Sequence, residues 1–239
     1  MIDKHILKLR ARDDIGAEEE TAIRGAVKDV VRLPADSVVV RAFEPMDYST
    51  ILVSGLACRQ KDLRDGRRQI TELHVAGDFT DLHSFTLKYL EHDIATLSDC
   101  RFAIVPHDRL REITERFPHL ARVYWFATNL DAAIHREWSV SLGRRSALAR
   151  MAHLFCELYV RLDLVELTHD GGYDLPLTQA ELADTLGMTA VHANRTLQEL
   201  RSLAHVEFAR GRVSISDFDA LKRVAEFNPA YLYLDRRAR

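Results

Sequence analysis

One short segment of the sequence, Val191-His192-Ala193-Asn194-Arg195, carries side chains that can read the edges of DNA bases. Arg195 can donate two parallel hydrogen bonds to O6 and N7 of guanine, a pair of acceptors that no other base presents in the major groove. Asn194 can hydrogen-bond an adenine edge, whereas Val191 can contact only a thymine methyl group. An exposed, solubilising arginine is the alternative for Arg195 taken alone, so the guanine contact is expected only if the surrounding segment forms the second helix of a DNA-binding motif.

A second group of side chains has the chemistry and placement to support this reading helix or to bind phosphate oxygens. Its members are Thr178, Gln179, Thr189, His192, Gln198, Arg210 and Arg212. The first three lie at predicted helix N-termini, where free backbone amides and hydroxyl groups favour anions. Plain helix capping is the alternative role for the two threonines, and both roles can hold together.

The elements that must position these side chains follow from capping signals. Thr178 and Glu181 form a capping box that opens one helix, and Gly187 ends it. Thr189 then caps a second helix, whose inward side is predicted to be Ala193, Leu197, Leu200 and Leu203. Two short helices around a three-residue turn are typical of a helix-turn-helix. The segment 207–215 predicts two short strands around a basic tip formed by Arg210-Gly211-Arg212, which would be the wing.

Upstream, the apolar residues are spaced by alternating steps of three and four. They are Leu120, Val123, Ala127, Leu130 and Ile134. This spacing is typical of a coiled-coil seam or of a helix that packs along a partner. We expect a dimerisation helix here, interrupted at Gly143 and followed by a second helix over 144–164.

The N-terminal part changes period from helix to strand. A helical pattern covers 17–31, and Pro34 marks the break. Short β-rich runs then occupy 37–40, 49–53, 57–61, 69–74, 94–97 and 102–105. Turn signals at Asp65-Gly66 and Gly77-Asp78 separate some of these runs, at the spacing of a small sandwich or barrel. An N-terminal β-barrel domain is predicted.

Composition narrows the class of protein. The chain has 239 residues, of which 47% are hydrophobic and 29% charged, with a formal net charge of -3. These values are typical of a globular protein, and without an apolar run long enough for a membrane helix we expect a soluble cytoplasmic chain. The cysteines Cys58, Cys100 and Cys156 have no metal-site spacing. Since the chain also lacks a nucleophile elbow, HExxH or a phosphate loop, we do not expect an enzyme.

Five sequence blocks, in this order, resemble the Crp/Fnr transcription regulators, and in particular their rhizobial-type members. The blocks are Asp65–Thr71, Gly77–His83, Gly143–Leu158, Pro176–Ala183 and Val191–Leu197. The resemblance implies an α+β fold in which an N-terminal β-roll (jelly roll) of cyclic-nucleotide-binding type precedes a long dimerisation helix and a C-terminal winged helix-turn-helix. The expected boundaries are 1–115, 116–142 and 143–239.

The resemblance also implies a homodimer that binds a palindromic site in double-stranded DNA and acts on RNA polymerase. Many relatives have Glu at the position of Val191, so the operator is expected to differ there. Members that bind cyclic AMP use a Gly-Glu pair and an Arg followed by a small hydroxyl residue. Here Thr80-Asp81 follows Gly77-Asp78-Phe79, and no arginine lies between Arg68 and Arg101. We therefore expect a barrel without a cation for the phosphate, and no cyclic AMP binding.

The sequence also bears on sensing through iron-sulfur clusters, haem or metal ions. The cysteine cluster of oxygen-sensing relatives has no counterpart before Pro34, so we expect no iron-sulfur cluster and no cofactor. The histidines near the barrel, His74, His83, His92 and His107, could suggest haem or a metal, but lone histidines are more often structural. Two alternatives stay open: a regulator whose barrel binds an unidentified small-molecule effector or haem, and a sensor whose degenerate winged helix makes protein contacts.

Overall fold

The computed structural model describes residues 1–204 and 206–237. The chain divides into two compact units. The first comprises Met1–Gln60, Leu73–Ala132 and the C-terminal segment from Tyr233. The second comprises Lys61–Glu72 and Ala133–Leu232. None of the helices in the described ranges has the length and apolar character needed to span a membrane.

Helices and strands alternate irregularly along the chain. The helices are α1 Asp3–Arg10, α2 Ala17–Ala26, α3 Ser84–Leu87, α4 His107–Arg116, α5 Pro118–Arg144, α6 Ala147–Asp163, α7 Gln179–Leu186, α8 Ala190–Ala204 and α9 Phe218–Ala225, with a 3-10 turn at Pro229–Leu232. The strands are β1 Asp29–Leu33, β2 Val38–Val40, β3 Tyr48–Ser54, β4 Ala57–Asp62, β5 Arg68–His74, β6 Asp93–Thr96, β7 Cys100–Pro106, β8 Thr168–His169, β9 Gly172–Asp174, β10 Val206–Ala209 and β11 Arg212–Ile215.

The N-terminal strands form two antiparallel sheets. One has the order β1-β7-β3 and the other the order β2-β6-β4-β5. All six predicted β-rich runs fall on strands and extend beyond them by at most one residue, as their composition and the turn signals between them predict. The helix predicted over 17–31 is wrong in its last third: α2 ends at Ala26, and Val30 and Val31 lie in β1, which pairs with β7. Their β-branched side chains suit a strand, and the neighbouring strand supplies the hydrogen bonds.

Helices cover the core of the first unit. Ile51, Ala103 and Val105 of the β1-β7-β3 sheet pack in one buried cluster with side chains of α1, α2, α4 and the first turns of α5. Leu120 and Val123 of α5 belong to this cluster. The long helix continues through Gly143 to Arg144, so the predicted interruption lies two residues later.

In the second unit, α6 is the central element, with ten of its side chains buried. It contacts α7, α8 and α9, and a four-stranded sheet of order β10-β11-β9-β8 completes the unit. Leu200 is buried as predicted, whereas Leu203 is 55% exposed and does not belong to the inward side of α8. The α+β class, the long helix and the C-terminal helix-turn-helix with its wing are confirmed.

Candidate nucleic-acid interface

The helix-turn-helix begins with the capping box that the sequence predicts. Thr178 Oγ1 accepts a hydrogen bond from the Glu181 amide at 3.2 Å, and a Glu181 carboxylate oxygen accepts from the Thr178 amide at 2.7 Å. Gly187, at φ 61°, ends α7 in the left-handed conformation that favours glycine. Thr178 is therefore a cap, and Gln179 beside it is exposed.

Thr189 caps the N-terminus of α8 in the same way. Its hydroxyl accepts a hydrogen bond from the His192 amide at 3.2 Å, which places His192 in the exposed first turn. The amides of this first turn have no carbonyl partner within the helix. An anion at this end would also meet the positive end of the helix dipole.

The outward face of α8 carries Val191, Arg195 and Gln198 at steps of four and three residues, which align on one side of a helix. All three are exposed, Val191 to 80%. Within residues 1–204 and 206–237, Arg195 makes no hydrogen bond or ion pair. The guanidinium is thus free to donate both of its parallel hydrogen bonds to a base edge.

Asn194 is less free than the sequence suggests. Its Nδ2 donates to Gln179 Oε1 at 3.2 Å, and its Oδ1 accepts from Gln198 Nε2 at 3.3 Å. The three amides form a chain across α7 and α8, so Asn194 orients two neighbours instead of presenting a free edge. The spacing of Asn194 and Gln198 alone could have indicated an i,i+4 contact, but Gln179 lies on another helix.

The two arginines of the predicted wing tip have different surroundings. Arg210 and Gly211, at φ 54° and 73°, form the two-residue turn between β10 and β11, and Arg210 is exposed. Arg212 belongs to β11, donates to the His169 carbonyl at 2.5 Å and contacts Asp174 at 3.5 Å. The phosphate contact expected of Arg210 stays a prediction for an exposed side chain, whereas Arg212 would have to give up its contacts along the sheet to make one.

A buried carboxylate that sequence reasoning missed holds the scaffold behind these helices. Glu157 of α6 is fully buried and accepts from Trp138 Nε1 at 3.1 Å, from Arg161 Nη1 at 3.0 Å and from the Tyr231 hydroxyl at 2.7 Å. The Tyr231 pKa is raised far above its ordinary value, first by burial and then by the Glu157 charge. Satisfying a buried carboxylate in this way avoids the large penalty of an unpaired charge. The Glu157 network therefore fixes α5, α6 and the C-terminal turn together within this unit.

The predicted dimer seam faces inward. Leu120, Val123, Leu130 and Ile134 are buried, with 0%, 3%, 6% and 5% of their surfaces exposed, and Ala127 is partly buried against the core of the first unit. The chain itself therefore covers these side chains, because the helix packs along its own protomer. The opposite side of α5 is exposed and carries Arg122, Trp125, Asn129, Arg136 and Val140. Trp125, at 70% exposure, is the most prominent of them.

The first unit holds a cation that the sequence argument overlooked. Arg59, which lies outside the stretch 69–100, is only 2% exposed. Its Nη2 and Nε donate to the Thr80 carbonyl at 2.7 and 3.1 Å, and its Nη1 contacts Asp131 at 2.8 Å. The expectation of an interior without a cation is thus wrong, but the guanidinium has partners from the protein.

Burial shifts the pKa values of the neighbouring titratable groups toward their uncharged forms. Burial raises the pKa of Asp81 to about 7, although hydrogen bonds from the Thr50 amide and hydroxyl favour the carboxylate. Burial and the Arg59 charge lower the pKa of His83 to about 3. His107 contacts the hydroxyls of Ser49 and Ser84 at 3.1 and 3.3 Å. These contacts give His107 a structural role in the core.

Comparison with known proteins agrees with this architecture. Residues 30–117 match the cyclic nucleotide-binding domain, and residues 149–224 match the Crp-like helix-turn-helix domain. The chain is 28% identical to the transcriptional activator protein FnrL of Cereibacter sphaeroides over 209 residues, which cover 85% of this chain and 83% of FnrL. It is 30% identical to the nitrogen fixation regulation protein FixK of Bradyrhizobium diazoefficiens, over 70% of this chain and 69% of FixK.

A solved structure extends the likeness to the fold. FixK2 from Bradyrhizobium japonicum superposes with a TM-score of 0.75 at 23% identity, covering 82% of this chain and 96% of that one. A relative from Rhizobium leguminosarum described as a probable transcriptional activator is 30% identical over 78% of this chain and 77% of its own length. With both domains matched and relatives that are 30% identical over more than two thirds of their length, the chain belongs to the Crp/Fnr family of transcription regulators.

Proposed function

We propose that this regulator reads a palindromic DNA operator as a homodimer, with Arg195 specifying a guanine in each half-site. The observation that carries the proposal is the exposed stripe of Val191, Arg195 and Gln198, whose central guanidinium has no partner in the described part of the chain. A twofold dimer places its two recognition helices about 34 Å apart, which corresponds to half-site centres about 10 base pairs apart. Arg210 and the first turn of α8 contact phosphates.

Selection from a random DNA library tests the reading helix. Arg195→Ala is expected to lose the guanine preference and about 1 to 3 kcal/mol of binding free energy per half-site. Arg201→Ala is the matched control, because Arg201 is an exposed arginine on the same helix but is paired with Glu207 at 3.2 Å. An unchanged selected motif for Arg195→Ala, or equal losses for both variants, contradicts the proposal.

The dimer, in this proposal, forms through the exposed side of α5 that includes Trp125, and not through the predicted seam. A large aromatic side chain exposed on a long helix is typical of an interface anchor. Trp125→Glu should therefore give a monomer that stays folded. Leu130→Glu should instead unfold the protomer, because it places a carboxylate in a buried position. Sedimentation and thermal unfolding of both variants separate these outcomes. A Trp125→Glu protein that remains dimeric would contradict dimerisation through this side of α5.

We also propose that regulation involves neither cyclic AMP nor an iron-sulfur cluster. A phosphate would have to displace both Thr80 and Asp131 from Arg59. The three cysteines are buried, and burial raises the pKa of Cys156 to about 12, which disfavours the thiolate that a cluster needs. Calorimetry with cyclic AMP is expected to detect no heat of binding, and saturable binding at micromolar concentration would refute this.

The cellular setting follows from the same proposal. A DNA-binding activator or repressor acts in the cytoplasm and has RNA polymerase as its second macromolecular partner. A small-molecule effector of the first unit is left open as a further partner. Footprinting of the chain's own upstream region tests this, because it locates the operator relative to the promoter. An operator that neither overlaps nor adjoins a promoter would contradict a role at RNA polymerase.

A further inference from the structure

The hairpin formed by β4 and β5 contains the block Asp65–Thr71. None of the residues proposed to contact DNA lies in this block. Its turn is closed by a hydrogen bond from the Leu63 amide to the Arg67 carbonyl at 2.7 Å, and Asp65 accepts from the Arg67 amide at 3.1 Å. The outer part of this hairpin, Lys61–Glu72, belongs to the same compact unit as the helix-turn-helix. The next two residues after the turn, Arg68 and Gln69, begin β5, and their side chains contact α7.

Both contacts are made at the C-terminal end of α7. Arg68 Nε donates to Asp184 Oδ2 at 2.9 Å. Gln69 Nε2 donates to the Asp184 carbonyl at 2.8 Å and lies 3.4 Å from the Thr185 carbonyl. The packing is close, since a Cβ atom added to Gly187 would lie 3.3 Å from Gln69 Oε1.

These contacts complete the hydrogen bonding of a helix end. The last four carbonyls of a helix have no partner inside the helix. In α7, the Ala183 carbonyl accepts from the Met188 amide at 3.0 Å, and the Leu186 carbonyl accepts from Arg150 Nη1 at 2.5 Å. Gln69 Nε2 is the donor for the two carbonyls between them, those of Asp184 and Thr185. The hairpin therefore adds donors for two carbonyls that the local cap at Gly187 and Met188 does not reach.

We propose that Arg68 and Gln69 are positioning residues for DNA recognition, which act through α7 and touch no DNA. This inference rests on the proposed function of α8 as the reading helix. Only Gly187, Met188 and Thr189 separate the two helices. A displacement of the end of α7 is therefore transmitted to the first turn of α8, where recognition tolerates errors of only about 0.5 Å.

A charge reversal and its reciprocal partner test the role of Arg68. Arg68→Asp places two carboxylates together and should weaken operator binding roughly tenfold, about what losing one charge-assisted hydrogen bond costs. Arg68→Asp combined with Asp184→Arg restores the pair and the net charge, and should recover most of the affinity. Arg64→Asp is the matched control, because Arg64 is exposed on the same hairpin and has no contact with α7 among the described residues.

Gln69→Leu removes the side-chain amide donor without changing charge. It should lower operator affinity while leaving the salt dependence of binding unchanged, since a lost phosphate contact would reduce that slope. Amide hydrogen exchange of residues 186–190 should accelerate in Gln69→Leu and not in Arg64→Asp.

The inference is overturned if Arg68→Asp binds as well as Arg64→Asp, if the reciprocal pair gives no recovery, or if exchange in Gln69→Leu matches the wild type. If the wild-type chain binds no operator, the proposed function fails together with the positioning role. The exchange data then still report whether the hairpin holds α7.

Discussion

Arg195 in the second unit and Arg59 in the first carry the same guanidinium group, yet they can do different chemistry. Arg195 is exposed on α8 and forms no hydrogen bond or ion pair within the described ranges. Arg59 is buried, and its donors are directed to the Thr80 carbonyl and to Asp131. An arginine can recruit an outside ligand only when the fold leaves its donors unused. Of the two arginines, only Arg195 can therefore bind an outside ligand without first losing bonds within the chain.

The largest effect should come from the buried arginine. Arg59→Ala removes the hydrogen bonds from the guanidinium to the Thr80 carbonyl and to Asp131, and should lower the free energy of unfolding by about 3 kcal/mol. Arg195→Ala should leave it unchanged. Urea unfolding of the two variants provides the measurement. Equal stability of both proteins would show that Arg59 is as dispensable for folding as the exposed arginine.

The pH dependence of stability tests the structural role of the first unit at a second buried group, Asp81. Its pKa is about 7 in the folded chain against an ordinary value of 3.8, so between these values the folded state binds a proton that the unfolded state has lost. Stability should therefore fall as pH rises through this window, by up to about 1.4 kcal/mol per pH unit. Asp81→Asn should remove that contribution. Urea unfolding at several pH values, compared between wild type and Asp81→Asn, checks the slope, and parallel curves would contradict it.

A smaller effect should separate the two wing arginines. Arg210→Ala removes an exposed charge at the turn and should reduce the slope of log affinity against log salt by about 0.9, the value for one phosphate contact. Arg212→Ala should change the salt slope less, since this side chain is bound to His169 and Asp174. Binding titrations at several salt concentrations measure both slopes. A larger change for Arg212→Ala would mean that DNA displaces its internal partners.

The smallest effect concerns the chain of amides on the recognition face. Gln179→Ala and Gln198→Ala should be coupled in DNA binding by about 0.5 kcal/mol, because Asn194 connects them. The coupling should vanish when the same cycle is repeated in Asn194→Ala. Additive effects in the wild-type background would indicate that each amide acts alone.

Local signals were sufficient for the recognition module. Each of three signals depends on residues no more than four positions apart: the Thr178–Glu181 capping box, the glycine at 187 and the Thr189 cap. The sequence therefore predicted α7, the turn and the start of α8. The positions of the N-terminal strands were predictable for the same reason, because β-rich runs and turn residues are local signals. The boundary at Ala26 was not, since β7 provides the partner that makes β1 a strand.

What only the tertiary structure decided is the availability of each side chain. The spacing from Leu120 to Ile134 correctly indicated one apolar face, but periodicity cannot tell whether the chain's own core or a second chain covers it. The same limit applied to Arg59, Arg212 and Gln69, whose partners are 21 or more residues away in sequence. The sequence by itself determined which residues share a helix face or a turn, because those relations depend on nearby backbone geometry. Which of them stay free for DNA depends on long-range packing, which no local pattern encodes.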